Sequence, residues 1–94
     1  MHELSIAVNI VDIACEEAER QGDSRVDAVH LNLGVLCGVV KEALLFSWEL
    51  ACEGSRIAGA RLAIRDVPGR EMQVSAIEVL SEGNSERLHD TASG

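Results

Sequence analysis

Met1, His2 and Glu3 bring together groups that can bind a metal ion. Because His2 is large, we expect the initiator methionine to be retained, so its free amine precedes the His2 amide and imidazole. If the amide deprotonates, these nitrogens can close adjacent five- and six-membered chelate rings around one ion. The Glu3 amide or an incoming ligand can take a fourth position. Nitrogen ligands in one plane suit Ni(II) or Cu(II) better than tetrahedral Zn(II).

An ordinary helix start explains the same residues without a metal. Glu3 in a first helical turn is stabilised by the positive end of the helix dipole, by about 0.3 to 1 kcal/mol. His2 can then be only a cap or a surface residue. If a metal does bind, protons compete for the amine and the imidazole, so binding should weaken below about pH 6.5. The residues alone leave both interpretations open.

The other reactive side chains do not suggest catalysis. Each serine lacks an evident paired histidine, and no pair of buried carboxylates follows from the spacing. His30 is predicted on the polar face of a strand, as an ordinary surface residue. Cys15, Cys37 and Cys52 include no C-x-x-C pair, so we interpret them as reduced, mostly buried thiols. We predict that the protein is not an enzyme.

The length and composition predict one small domain. The chain has 94 residues, 47% of them hydrophobic, and no apolar run that approaches the roughly 20 residues of a membrane span. The first residues also lack the pattern of a signal peptide, so we expect a soluble, cytoplasmic protein. A net charge of −8 argues against nucleic acid and favours cationic partners.

The apolar pattern predicts three elements in the first half of the chain. Apolar residues at helical spacing predict a helix from Leu4 to about Gln21. An additional isoleucine stripe, formed by Ile6, Ile10 and Ile13, indicates that this helix packs against both a sheet and a second helix. Alternatively, the stripe is a face for a partner or an oligomer. The segment "RVDAVHLNLGVL" alternates as a half-buried strand does, and a second helix is predicted from Lys41 to Cys52.

Two further strands, "ARLAIRDV" and "REMQVSAIEVL", are predicted on either side of Pro68 and Gly69. A change of apolar phase in the second of them predicts a bulge near Ser75 and Ala76. Pro-Gly is poorly suited to a tight hairpin turn, so the loop is wider or a segment once stood there. Residues 81–94 lose the periodicity and are predicted to form a disordered tail.

Four segments in order, "MHELSIA", "LNLGVLCGVVKEALLFSWE", "GARLAIRDVP" and "AIEV", resemble the HypA/HybF family of nickel-insertion chaperones for [NiFe]-hydrogenase and urease maturation. The resemblance covers residues 1 to about 80. It implies an α/β fold in which two helices lie on one side of a mixed three-stranded sheet, in the order α-β-α-β-β. It also implies that residues 1–80 are a nickel-binding domain, with His2 and Glu3, together with the Met1 amine, as the Ni(II) site.

The resemblance further implies partners and shows two departures. The family passes nickel on with the help of a maturation GTPase and delivers it to the hydrogenase large subunit. Its members carry a zinc-binding segment between the strands that here are joined by "VPGR", so we predict no structural zinc. Whether that segment was removed by engineering or is naturally absent stays open. Val40 stands where some members carry an acidic residue thought to lie near the nickel.

Two alternatives to nickel delivery remain at this point. The chain could be a metal-free interaction module that docks to the maturation GTPase or the hydrogenase subunit through its acidic or isoleucine-striped surface. It could also associate with itself as a homodimer, because shortening a loop between paired strands favours strand exchange. Neither nucleic acid nor a membrane is an expected partner.

Overall fold

The computed structural model describes residues 3–22 and 25–80, together with the backbone of residues 86–90. These residues form two helices and four strands: α1 Glu3–Arg20, β1 Arg25–Gly34, α2 Lys41–Cys52, β2 Arg61–Val67, β3 Met72–Leu80 and β4 Glu86–Asp90. The order α-β-α-β-β of the first five elements confirms the predicted fold class.

The strands form a mixed sheet in the order β2-β1-β3-β4. β1 pairs with β2 in parallel and with β3 antiparallel, and β3 pairs antiparallel with β4. Parallel neighbours need a crossover, which α2 provides between β1 and β2. The three predicted strands are therefore present, and β4 extends the sheet beyond β3.

β4 lies within the segment that we predicted as a disordered tail. The backbone of Glu86–Asp90 instead pairs with β3, with Glu86 opposite Leu80 and Asp90 opposite Ala76. This short strand has no alternating apolar pattern that would have predicted it. Residues 81–85 and 91–94, and the side chains of β4, lie outside the described residues, and the boundary at residue 80 stays a prediction.

Both helices contribute to one hydrophobic core on one face of the sheet. α1 contacts α2, β1 and β3, as expected for a helix that packs against a sheet and a second helix. Its buried face contains three alanines, Ala7, Ala14 and Ala18, whose small side chains permit close packing. Of the isoleucine stripe, only Ile13 is well exposed, so most of that stripe serves the core.

The register of β3 confirms the predicted bulge. Ala76 pairs with His30 and Val74 pairs with Leu31, so Ser75 is an extra residue between two consecutive residues of β1. The bulge lets the buried Val74 and Ile77 face the same core despite their odd spacing.

The prediction that Pro68 and Gly69 join a hairpin is wrong. β1 lies between β2 and β3, so these two strands are not paired with each other. Residues 68–71 instead cross the carboxyl end of β1, and a tight hairpin turn is not required there. Strand exchange through a shortened loop requires that the loop join two paired strands, and β2 and β3 are not paired.

Candidate metal centre

Of the three predicted site residues, the structure describes Glu3, while Met1 and His2 lie outside the described residues. Glu3 is the first residue of α1 and is half-buried. Of the predicted ligands, the structure therefore locates Glu3 alone, at the amino-terminal end of α1.

Glu3 also touches the start of the second helix. The backbone N–H of Val40 donates a hydrogen bond to Glu3 Oε2, with a nitrogen to oxygen distance of 3.3 Å. Val40 is the N-cap residue of α2 and has an extended backbone, with φ −85° and ψ 116°. The amino-terminal ends of both helices therefore lie together at the Glu3 carboxylate.

This contact replaces a cap that α2 lacks in its own sequence. A capping box needs a Ser or Thr at the N-cap, and a Glu or Gln three residues later that binds the N-cap amide. α2 has Val40 and Ala43 at these positions, and no side-chain cap bond is formed by Val40. Glu3 supplies the missing carboxylate from another helix, where a negative charge is also favoured by the helix dipole.

The contact between Glu3 and Val40 joins residues 37 positions apart, and sequence periodicity gave no sign of it. Val40 stands where some members of the resembled family carry an acidic residue, and the structure brings its backbone amide to Glu3. The side chain at this position is apolar and 55% exposed. Position 40 therefore contributes a backbone amide to this end of the molecule, with no carboxylate of its own.

His30 lies in a different part of the molecule, on the sheet face that the helices do not cover. Its Nε2 is 2.5 Å from Glu78 Oε2, and the Arg61 guanidinium is 3.5 Å from the same oxygen. These three side chains lie across neighbouring strands β2, β1 and β3, since Ala28 pairs with both Arg61 and Glu78. His30 is thus a partly exposed, paired residue of the polar face.

The cysteines do not provide a ready metal site. All three are free thiols. Burial raises the pKa of the Cys52 thiol to about 11 and also raises the pKa of Cys15, which keeps both thiols protonated near neutral pH. Within the described part of the chain, no three His, Cys, Asp or Glu side chains are placed to hold a metal together. That statement does not extend to His2.

Neither helix among the described residues is long and apolar enough to cross a membrane.

Comparison with known proteins adds a family to this geometry. Residues 1–73 match the family model described as "Hydrogenase/urease nickel incorporation, metallochaperone, hypA". The hydrogenase maturation factor HypA of Roseiflexus sp. (strain RS-1) is 56% identical over 68 residues, which cover 72% of this chain and 55% of the relative. The hydrogenase maturation factor HypA of Streptomyces avermitilis is 39% identical over 89 residues, which cover 94% of this chain and 68% of the relative.

The fold has a solved counterpart as well. The solution structure of the Ni metallochaperone HypA from Helicobacter pylori superposes with a TM-score of 0.60 over 94% of this chain and 93% of that chain, at 18% identity. At this identity the likeness concerns the fold alone. This chain spans 55 to 60% of the length of the first curated relatives. The family is described as a metallochaperone and maturation factor, in agreement with the prediction of a non-enzyme. On the family match and these identities, the chain belongs to the HypA family of hydrogenase and urease nickel-incorporation metallochaperones.

Proposed function

We propose that this chain binds Ni(II) through the Met1 amine, the amide and imidazole of His2, and Glu3, and delivers it for maturation of a [NiFe]-hydrogenase. Family membership supports the nickel role. The observation that supports a site here is the hydrogen bond from the Val40 amide to Glu3, because it brings the Glu3 carboxylate to the starts of two helices.

The electrostatics of this junction explain why Glu3 matters for a cation. Helix amino-terminal ends carry partial positive charge and disfavour a metal cation. Glu3 supplies a full negative charge between the two ends, and a deprotonated His2 amide would add a second. Planar nitrogen coordination suits Ni(II). The three nitrogens of Met1 and His2 leave the fourth position to Glu3 or to an incoming ligand, so the ion can pass to another protein by ligand exchange at that position.

Exposed apolar side chains near Glu3 support transfer to a docked protein. Leu4 follows Glu3 in the chain, and the backbone amide of Val40 donates to the Glu3 carboxylate. The side chains of Leu4 and Val40 are 48% and 55% exposed, and that of Leu36, in the loop before α2, is 67% exposed. We propose a maturation GTPase and the hydrogenase large subunit as the partners and the cytoplasm as the location. We also propose that the chain holds no structural zinc, which metal analysis of the purified protein tests.

Calorimetric titration with Ni(II) of protein that begins at Met1 tests the site. We expect one strong nickel site per chain, lost in His2→Ala and retained in His30→Gln. His30 is the matched control because it is a histidine paired to Glu78 on the uncovered sheet face. Equal nickel uptake by His2→Ala and the parent chain would remove the amino-terminal site.

The same titration decides between metal delivery and the metal-free alternative. A chain that takes up no nickel but still binds a maturation GTPase or hydrogenase subunit would be an interaction module. The exposed apolar residues Leu36 and Phe46, which are 67% and 69% exposed, favour some docking role in either case.

A further inference from the structure

The connection between β2 and β3 is tied to the loop that leads into α2. Residues 68–71 cross the end of β1, where three consecutive amides of the chain donate to carbonyl groups in or next to this connection. The bonds are Gly34 N to Glu71 O at 2.8 Å, Val35 N to Val67 O at 2.9 Å and Leu36 N to Gly69 O at 2.8 Å. The connection and the loop before α2 are therefore joined by three backbone hydrogen bonds.

Gly34 makes this close approach possible. A Cβ atom at position 34 would lie 2.6 Å from the Gly69 carbonyl oxygen and 2.7 Å from that of Glu71. Both obstacles are backbone atoms, so a side chain cannot be accommodated by a rotamer change. Any larger residue at position 34 must displace the connection or the loop.

A salt bridge makes a second tie at the same place. Lys41 Nζ lies 3.0 Å from Asp66 Oδ2, which joins the first residue of α2 to the end of β2. Lys41 is bonded to Val40, whose amide donates to Glu3. The contacts thus run without interruption from the connection, through the start of α2, to the carboxylate of the candidate metal centre.

We propose that Gly34, Lys41 and Asp66 are positioning residues for the nickel site, and that the β2–β3 connection sets its geometry through the Val40 amide. This inference rests on the proposed function for its effect on nickel. The part that concerns Val40 and Glu3 can be measured on metal-free protein. None of the three residues need touch the metal.

Amide NMR spectra of the metal-free chain test the mechanical part. Glu3→Gln defines how the Val40 amide resonance responds when its charged acceptor is lost. Gly34→Ala and Asp66→Asn should move that resonance in the same direction. Asp12→Asn, an exposed charge-matched change on α1, and Gly59→Ala, at a strained glycine away from the connection, should leave it in place. An unmoved Val40 resonance in both test variants would overturn the proposal.

Nickel titration of the same variants tests the functional part. We expect the dissociation constant to rise about two- to fivefold in Asp66→Asn, the range that loss of an exposed ion pair allows. In Gly34→Ala, we expect a rise of about tenfold or more, because a shifted site geometry weakens every ligand bond. The visible absorption band of bound Ni(II) should change in both variants, which a loss of stability alone would not cause.

A charge exchange provides the rescue. Lys41→Asp and Asp66→Lys should each weaken nickel binding, and the double variant should restore it towards the parent value. Wild-type affinity and spectrum in Gly34→Ala and Asp66→Asn, combined with lost binding in His2→Ala, would refute the positioning role and leave the proposed function standing. If the parent chain takes up no nickel, the proposed function fails, and the Val40 resonance still decides the mechanical coupling.

Discussion

Glu3 has a role in both interpretations of the amino terminus, the ordinary helix start and the metal site. As a helix-start residue it lies in the first turn of α1, and as a candidate ligand it follows His2 directly. Its contact with Val40 shows that the Glu3 carboxylate caps the start of a second helix. Capping and metal binding are compatible, because the cap uses a carboxylate oxygen and the candidate fourth ligand is the Glu3 amide.

Glu3→Gln should lower the stability of the metal-free protein. The substitution keeps the size of the side chain but removes the charge that favours both helix starts, for an expected loss of about 0.3 to 1 kcal/mol. Urea unfolding measures this loss. Glu16→Gln, at an exposed position of α1 far from its first turn, is the control and should change the midpoint little. An equal loss in both variants would contradict a specific role for Glu3.

Cys52 should make the protein less stable at alkaline pH. Burial raises the pKa of its thiol from 9.0 to about 11, so the unfolded chain loses the proton at lower pH than the folded chain. The free energy of unfolding should therefore be independent of this group below about pH 9 and fall from pH 9 towards 11. Urea unfolding across this range measures the fall, which should be smaller in Cys52→Ala. An identical pH dependence in both proteins would refute the assignment.

At the scale of the elements, α2 links the core to the candidate centre. Its first residues lie beside Glu3, and its buried side carries Leu44 and Trp48 into the core. The indole Nε1 of Trp48 donates to the Ala60 carbonyl at 2.9 Å and so ties α2 to the segment that precedes β2. The helix is therefore held at both ends, which fixes the position of the Val40 amide.

Trp48→Phe should destabilise the protein by about 1 to 3 kcal/mol, because the buried Ala60 carbonyl loses its donor. Thermal or urea unfolding measures the change. Phe46→Leu is a matched aromatic control on the same helix, since Phe46 is 69% exposed, and it should cost less than about 0.5 kcal/mol. Similar losses in the two variants would mean that the indole hydrogen bond does not hold α2 in place.

Across the whole molecule, local patterns were predictable and non-local pairings were not. The helices, the first three strands and the bulge at Ser75 follow from apolar periodicity, which each segment carries in its own residues. The sheet order does not, because strands that neighbour in sequence usually pair, whereas β1 here separates β2 from β3. β4 could not be predicted because it lacks an apolar pattern. The hydrogen bond from the Val40 amide to Glu3 could not be predicted either, because it depends on how the sheet arranges the two helices.

At the scale of the whole molecule, we propose that the fold holds the amino terminus as a metal site, in which the Met1 amine and His2 bind nickel together at the Glu3 junction. Blocking the amine removes one proposed ligand without substituting any described residue.

The most direct measurement is a nickel titration of the chain with a free Met1 amine beside the same chain extended by a short Gly-Ser segment before Met1. The extension converts the amine into a peptide amide, which is a far weaker ligand at neutral pH. We predict that the extended chain binds Ni(II) at least about tenfold more weakly, since one member of the chelate is lost. Equal affinity in the two proteins would mean that the Met1 amine is not a nickel ligand.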